Sequence, residues 1–349
     1  MHGHHFVTAL SYLIALVGMT VFHASHPLHA QQLYVLGEMT TPSQTLVHNY
    51  SYDGVLNRVE TIPGRFFTGI ALDDPRDPRH AFLSRGAPTS TLHRQLLDGG
   101  ATTLILTGFV SNSIAVNPHE ERVYFGVSSG AILSADFDGL DVREVYPPPS
   151  GVQNITAMAI DPTGGWLYWA ASRDIRRMPL TGGPVELIVG PTSPGVRPYL
   201  PYDIALDLVQ GQLYWSEWDV LQQGEIEEQT SGRIMRSNLD GSNPQVVVQD
   251  PRYDDIPGVP EIGINPKSFT IDPLAGILFA YDDQDGHLVK FCLDGSCFDE
   301  NFEGPNLSYD PIDMAVIPAV PEPSTLALTG VGAVLLAAIR WRRRHARRS

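Results

Sequence analysis

A short apolar segment that ends in an acidic or amide residue recurs along the chain. The copies read IALD, IAVN, MAID, IALD and FTID, and a last copy, MAVI, lacks the polar end. They start at Ile70, Ile114, Met158, Ile204, Phe269 and Met314. Successive starts are 44, 44, 46, 65 and 45 residues apart. A repeat of this length predicts a chain built from one supersecondary unit used in series.

Three further strands follow each complete copy. A second apolar segment, which reads AFLS, VYFG, LYWA, LYWS or ILFA, comes eight to eleven residues after each start. A third strand then ends in a two-residue turn, at Asp98-Gly99, Asp138-Gly139, Thr181-Gly182, Asp240-Gly241 and Asp294-Gly295. Because Asp-Gly is a typical pair of type I′ turns, we expect tight two-residue hairpins here. A fourth strand such as PQVVVQ closes each unit.

The two ends of the repeat region supply complementary parts of one more unit. The N-terminal part contributes LYVLG from Leu33, a turn at Asp53-Gly54 and the segment NRVETI, but it has no first strand. The C-terminal IDMAVI is a first strand with no unit behind it. Joined, they close a ring without an open edge, which protects a β fold from aggregation.

The sequence therefore predicts an all-β fold, a six-bladed β-propeller over residues 31–317. Each blade has four antiparallel strands, and one blade is closed by both ends of the segment. We number the blades one to six in chain order, and the joined blade is blade one.

Large aromatic residues recur in the second strand of several blades. Tyr214 and Trp215 hold this place in blade five. Matching pairs stand at Tyr168-Trp169, Tyr124-Phe125 and Leu278-Phe279. Because the pairs recur at one position of the repeat, we expect them to pack between neighbouring sheets and not to form a ligand box.

The spacing of these strands resembles the YWTD repeats, or class B repeats, of the low-density-lipoprotein-receptor type of six-bladed propeller. LYWSEWD followed by GRIMRSNLDGS is the nearest copy, and LYWAASRDIRRMPLTGG and VYFGVSSGAILSADFDGL are weaker copies. Ser216-Glu217 and Ala170-Ala171 replace the Thr-Asp of the motif, which leaves its usual polar contacts open. The resemblance implies a protein-binding or scaffold role and not catalysis.

The first 30 residues are typical of a secretory signal peptide. Residues 6–22 form an apolar run, and HPLHA precedes a cleavage site that we place after Ala30. An ordered N-terminal helix is the alternative.

Three features follow one another at the C-terminal end. Pro321, Glu322 and Pro323 lie in a linker over residues 318–325, before an uncharged run from Leu326 to Ile339. Residues 340–349 form a basic tail. Together they resemble the PEP-CTERM sorting signal of bacterial envelope proteins. The resemblance implies cleavage by an exosortase-type membrane enzyme and delivery to the cell surface or extracellular matrix.

The same features predict a transient transmembrane helix at residues 326–339. Clustered arginines stay on the cytoplasmic side of a membrane, so the preceding propeller is expected outside it. A plain membrane anchor is the alternative to a processed sorting signal.

The charge of the chain argues against one class of partner. The formal net charge is −16, although six arginines lie in the last ten residues. The remainder is therefore more acidic than the whole chain. Such a surface repels phosphate backbones, and we expect no nucleic-acid binding.

Few patterns indicate catalysis, and we assign no catalytic residue. Residues 126–130 fit G-x-S-x-G, but they lie between two strands, whereas a nucleophile elbow needs a strand and a helix. The inner strands are expected to carry acids only at their ends, which disfavours a metal in the central channel. Asp282, Asp283 and Asp285 are candidates for holding calcium, since clustered carboxylates suit that ion. No other cofactor is expected.

The chain has only two cysteines, Cys292 and Cys297. With a two-residue turn between them, they face each other at a non-hydrogen-bonded pair, where strands approach most closely. In an exported protein we expect them to form a disulfide. Free thiols are the alternative.

Blade five is longer than its neighbours because of two insertions. Residues 220–231 lie between its second and third strands, and residues 251–265 follow its fourth strand. In an antiparallel blade both connections emerge on one face, which we call the long-loop face. The proline-rich connections YPPPSGVQ and GPTSPGVRPYLPY lie on this face too. The candidate binding residues there are aromatic or acidic: Trp218, Tyr199, Tyr202, Tyr253, Glu225, Glu227 and Glu228.

Two functions are compatible with these patterns. The first is an exported, non-enzymatic propeller that binds an extracellular protein or polysaccharide. The second is a propeller hydrolase or lactonase with a metal in the central channel. The sequence favours the first.

Overall fold

The structure is a computed structural model. It describes residues 31–39, 44–63, 67–74, 78–86, 90–97, 100–108, 111–147, 155–171, 173–190, 199–219, 232–249, 266–282, 287–297 and 310–317. They belong to one compact unit, residues 30–318. The expected signal peptide, the Pro-Glu-Pro linker and the expected transmembrane run lie outside these ranges. Within them, no helix is long and apolar enough to cross a membrane.

Six antiparallel sheets form the blades. Blade one contains β1 (Gln32–Met39), β2 (Gln44–Ser51), β3 (Leu56–Pro63) and β23 (Asp310–Ile317). Blade two contains β4 (Phe67–Leu72), β5 (His80–Arg85), β6 (Thr91–Leu96) and β7 (Thr102–Thr107). Blade three contains β8 (Ser111–Asn117), β9 (Arg122–Val127), β10 (Ile132–Asp136) and β11 (Arg143–Tyr146). Blade four contains β12 (Ile155–Asp161), β13 (Trp166–Ala171), β14 (Asp174–Pro179) and β15 (Glu186–Val189).

Blade five contains β16 (Tyr199–Asp207), β17 (Gln212–Asp219), β18 (Gly232–Asn238) and β19 (Gln245–Gln249). Blade six contains β20 (Pro266–Asp272), β21 (Ile277–Asp282) and β22 (His287–Cys292). Its expected fourth strand falls in residues 298–309, outside the described ranges. Strand β23 pairs antiparallel with β1, so the C-terminal strand completes blade one. The predicted six-bladed propeller, with one blade built from both ends, is confirmed.

The aromatic pairs of the second strands lie between neighbouring blades, as predicted. The hydroxyl groups of Tyr168 and Tyr214 donate hydrogen bonds to the carbonyl oxygens of Leu239 and Leu293 in the next blade, both at 3.2 Å. The four aromatics of blades four and five are at most 2% exposed: Tyr168, Trp169, Tyr214 and Trp215. These residues form the core and leave no surface for a ligand.

The polar residues that end the inner strands hold the turns to the second strands. Asp207 Oδ1 accepts hydrogen bonds from the Val209 and Gln210 N–H groups, both at 2.9 Å. Asp161 and Asp272 make the same pair of bonds in blades four and six. The recurring acid is therefore a turn-forming residue, because its side chain satisfies backbone donors that would otherwise be unpaired.

The turns between third and fourth strands are not the type I′ turns that we expected. Gly139, Gly241 and Gly295 have φ of 79°, 81° and 75°, but the aspartates before them lack a positive φ. The Gly139 N–H donates to the Asp136 carbonyl (2.9 Å), and the Asp136 N–H donates to the Leu140 carbonyl (3.1 Å). This is a three-residue loop with a left-handed glycine at its end. The longer loop places the left-handed conformation on glycine alone, which spares aspartate its cost.

The loop between the cysteines is longer still, and this changes their pairing. Cys292 and Cys297 form a disulfide in the structure, with Cα atoms 5.2 Å apart. The Cys292 N–H donates to the Cys297 carbonyl at 3.0 Å. The pair is therefore hydrogen-bonded, and the expectation of a non-hydrogen-bonded pair was wrong. The cause is a four-residue loop in place of the two-residue turn that we assumed.

Candidate functional site

Each inner strand carries a β-bulge at the same place. In blade two, Phe67 pairs with Arg85 and Gly69 pairs with Ser84, so Thr68 is skipped. The same shift occurs in the other five inner strands. We call the residue after each skipped one the ring position. From blade two round to blade one, the ring residues are Gly69, Ser113, Ala157, Asp203, Ser268 and Asp313.

The six inner strands enclose a central channel with a cavity of about 390 Å³. Asp203, Ser268 and Asp313 line it. The ring position comes early in each inner strand, at the end where the chain arrives from the previous blade. This part of the channel therefore lies toward the long-loop face.

The two ring aspartates bind the backbone of the next blade. Asp203 Oδ1 accepts from the N–H of Ile204 (2.8 Å), and Oδ2 accepts from the N–H of Phe269 in blade six (2.9 Å). Asp313 repeats this pattern, with the Met314 N–H and the Ile70 N–H of blade two both at 2.8 Å. Each carboxyl therefore links its own inner strand to the neighbouring one.

The polar pair that follows the aromatics in blade five supports this site. Ser216 Oγ accepts a hydrogen bond from the Asp203 N–H at 3.2 Å. Glu217 accepts from the Trp215 indole N–H at 2.7 Å and forms an ion pair with Arg233. Although the Thr-Asp of the YWTD motif is replaced, this pair makes buried polar contacts of its own.

Both ring aspartates bind protons more tightly than an ordinary carboxyl does. Burial raises the pKa of Asp203 to about 6. Burial also raises the pKa of Asp313 to about 8, and the negative charge of Asp203 adds to that rise. The backbone N–H donors lower both pKa values but do not cancel the effect. Two carboxyls that share a site resist simultaneous ionisation, so the pair retains a proton near neutral pH.

Ser268 and Lys267 complete the polar lining on this side of the channel. Ser268 belongs to blade six, between the blades of the two aspartates, and its hydroxyl lowers both of their pKa values. Ser268 is 2% exposed, and it lowers these pKa values because its hydroxyl donates a hydrogen bond to a carboxylate oxygen. Lys267 is the skipped residue of β20 and also lines the channel.

Sequence reasoning missed this constellation. The inner strands were expected to carry acids only at their ends, which is wrong, because Asp203 and Asp313 stand inside β16 and β23. The residue immediately before each apolar segment could have indicated these acids, because it is aspartate in YDIALD and in IDMAVI. Aligning the six copies by that residue shows that only these two carry an acid there.

The structure brings together only some of the candidate long-loop residues. Tyr202 is the skipped residue of β16 and lines the channel. The backbones of Tyr199 and Trp218 lie at the same end of blade five, where they pair with Asp219 and Leu200. The remaining candidates, Tyr253, Glu225, Glu227 and Glu228, lie outside the described residues.

The other predicted sites have mixed outcomes. Asp282 ends β21 and is 2% exposed, but Asp283 and Asp285 lie outside the described residues, so calcium at this loop stays a prediction. Within the described residues, no group of three or more His, Cys, Asp or Glu side chains is placed to hold a metal ion. The G-x-S-x-G residues form a hairpin turn between β9 and β10. The sorting motif Pro321, Glu322 and Pro323 lies outside the described ranges.

Comparison with known proteins gives one family model and a common fold. Residues 319–344 match the model of the PEP-CTERM protein-sorting motif. Protein cueball of Drosophila ananassae is 24% identical over 196 residues, which are 53% of this chain and 27% of cueball. The match thus spans about a quarter of that relative's length.

Solved structures with the same architecture come from proteins of different function. The nidogen chain of a nidogen/laminin complex superposes with a TM-score of 0.62 and 17% identity, covering 84% of this chain and 99% of that one. TolB of Acinetobacter baumannii gives 0.57 and 15%, covering 83% and 67%. The periplasmic gluconolactonase of Pseudomonas aeruginosa gives 0.50 and 12%, covering 83% and 100%. These likenesses show the fold alone. The chain is therefore a six-bladed β-propeller, similar to the YWTD type, that carries a PEP-CTERM sorting motif at its C-terminal end.

Proposed function

We propose that this protein is exported, processed by an exosortase-type enzyme, and acts outside the cell as a non-enzymatic binding module. Its ligand is an extracellular protein or polysaccharide of the envelope or matrix. Contact is made through the long-loop face of the propeller.

The observation that carries this proposal is the PEP-CTERM motif at residues 319–344, which follows a closed propeller. Such a motif implies an exported envelope protein, so the propeller meets its ligand outside the cytoplasm. The nidogen propeller, which has the same fold, was solved in a complex with laminin. That complex supports a protein-binding role by analogy of fold.

The strand bounds support the choice of face. Residues 220–231 connect β17 to β18, and residues 250–265 connect β19 to β20. In an antiparallel sheet both connections leave from the same end of blade five. Long connections on a rigid scaffold are a common location for binding residues. This end also carries the backbones of Tyr199 and Trp218.

Catalysis in the channel is the second candidate, and the geometry supports it less. Each ring carboxylate already accepts two backbone hydrogen bonds that join neighbouring blades. These bonds give the acids a structural role that explains their position. The gluconolactonase shares only the fold, at 12% identity.

Two measurements on the purified protein test this proposal. We expect the protein to bind isolated extracellular matrix, and fractionation of that matrix will identify the polysaccharide or protein that is bound. We also expect no lactone hydrolysis. Lactone hydrolysis that is lost on chelation, together with a stoichiometric and tightly held divalent ion, would favour the enzyme instead.

A further inference from the structure

We propose that Tyr52 is a closure latch, a side chain that holds the C-terminal strand β23 in blade one and joins both to blade six. The sorting motif begins at residue 319, directly after the end of β23. The latch therefore keeps the ring closed next to the segment on which a processing enzyme would act. That consequence rests on the proposed function, whereas the latch itself rests on contacts inside the propeller.

Closure of the ring depends on two segments from opposite ends of the propeller. Strand β23 is held against β1 by antiparallel backbone pairing, and β2 and β3 follow β1 in the chain. Strands near a chain end open readily unless further contacts hold them. A contact between the two segments would oppose this opening.

The first argument is the position of the Tyr52 hydroxyl group. It lies 3.0 Å from Asp272 Oδ2 of blade six and 3.3 Å from the carbonyl oxygen of Ile317, the last residue of β23. A phenol has one proton, so the two oxygens share a three-centre hydrogen bond. Tyr52 itself lies in the turn between β2 and β3. The hydroxyl therefore connects the N-terminal part of blade one, the C-terminal strand and blade six.

The second argument is that these three residues are shielded from water. Tyr52 is 7% exposed, Asp272 is 0% exposed and Ile317 is 1% exposed. Burial raises the pKa of the Tyr52 hydroxyl well above its usual range, and the negative charge of Asp272 raises it further. The phenol therefore keeps its proton and remains a donor. Removing a donor from a buried carboxylate is costly, because water cannot replace it there.

The third argument is that two more contacts fix Tyr52 against blade six. Its ring packs edge-on against the ring of Phe279, with centroids 4.8 Å apart and an interplanar angle of 64°. Lys290 Nζ donates a hydrogen bond to the Tyr52 carbonyl oxygen at 3.3 Å. These contacts hold the side chain and the backbone of Tyr52, so they also hold its hydroxyl in place.

The fourth argument is that a tyrosine occupies this turn position in blade one alone. The residue before the two turn residues is apolar in blades two to six, where it is Leu97, Phe137, Leu180, Leu239 or Leu293. These side chains cannot donate a hydrogen bond. The hydroxyl is therefore present in the blade that is assembled from both ends of the propeller.

Hydrogen exchange of the full-length protein, followed by mass spectrometry of its peptides, measures the opening of β23. In the unsubstituted protein we expect the amides of β23 to exchange as slowly as those of β12, an inner strand far from either end. Tyr52→Phe retains the aromatic ring and removes the hydroxyl. We expect exchange in β23 to become roughly fivefold faster or more, because a buried carboxylate and a buried carbonyl lose their donor.

Tyr214→Phe is the matched control. It removes a buried hydroxyl that bonds to the Leu293 carbonyl at 3.2 Å, between two blades that follow one another in the chain. We expect this variant to leave exchange in β23 unchanged.

Three results would overturn the proposal. Fast exchange of β23 in the unsubstituted protein would show that the strand is not held, and this result needs no variant. Unchanged exchange of β23 in Tyr52→Phe would show that the hydroxyl does not hold the strand. An equal increase in Tyr214→Phe would show a general loss of stability instead of a latch. The measurements use neither matrix binding nor processing, so their outcome is independent of the proposed function.

Discussion

Replacing Gly241 by alanine measures how closely neighbouring blades approach at the turns. Gly241 has φ of 81°, and a Cβ at this residue would lie 2.1 Å from the Ile188 carbonyl oxygen of blade four. Gly182 is the equivalent turn residue of blade four, with φ of 83°, but a Cβ there would have no neighbour within 4 Å. The two glycines therefore share the backbone conformation and differ only in the space around them.

This difference separates two costs. A side chain in the left-handed region costs about 1–2 kcal/mol, and Gly182→Ala should lose about this much stability. Gly241→Ala has the same cost and must also displace the backbone of blade four, which adds about 1–3 kcal/mol of overpacking. We expect a total loss of roughly 2–5 kcal/mol for Gly241→Ala.

Chemical denaturation of the purified variants, followed by tryptophan fluorescence, measures both losses. Trp215 is buried between blades four and five, and Trp169 is buried between blades three and four. Their fluorescence emission therefore reports unfolding of the region around Gly241. If the two variants lose equal stability within about 0.5 kcal/mol, the close approach of the blades is refuted. The left-handed turn would then account for the whole effect.

Three further predictions concern protonation, oxidation and sorting. Burial raises the pKa of Asp313 in the folded protein, so the stability that this group contributes is fully present below the unfolded pKa of 3.8 and is lost as pH rises through about 8. Asp313→Asn should therefore flatten the decline of Tm with pH, and an equal slope in both proteins would contradict the pKa shift. The intact mass of the non-reduced protein should be about two units below that of the dithiol form, and a dithiol mass would contradict the disulfide. Reduction should lower the free energy of unfolding by less than the usual ~2–4 kcal/mol, because Cys292 and Cys297 are only five residues apart, and a large fall in Tm on reduction would contradict this estimate. Replacing Pro321, Glu322 and Pro323 by alanine should leave uncleaved protein in the membrane fraction, because proline restricts the backbone and we expect the processing enzyme to recognise this restricted segment. Normal release of this variant would contradict the sorting role.

The repeat made the architecture predictable from the sequence. A blade needs an apolar inner strand, an aromatic second strand and a glycine turn, and each requirement leaves a local pattern at a constant spacing. The incomplete units at the two ends, LYVLG and IDMAVI, were sufficient to predict closure, because an unpaired edge would be unfavourable.

The turns and the channel were harder to predict for physical reasons. Asp-Gly is compatible with two-residue and three-residue loops, and packing against the preceding blade favours the loop that places only glycine at positive φ. The aspartate pair depends on residues 110 positions apart that meet only when the ring closes. A bulge in each inner strand then sets the direction of the ring side chains. A bulge changes the pattern of apolar residues too little to be recognised from the sequence.

Binding of a loop-deleted protein to isolated matrix tests the central claim most directly. The variant lacks residues 220–231 of the long-loop face, and a thermal melt establishes that it still folds. Val209→Ala is the matched control, since Val209 is 60% exposed in blade five at the turn on the opposite face. We expect the deletion to weaken matrix binding roughly tenfold or more, as loss of dominant contact residues does, and the control to bind normally. Normal binding by the folded deletion variant would contradict the account.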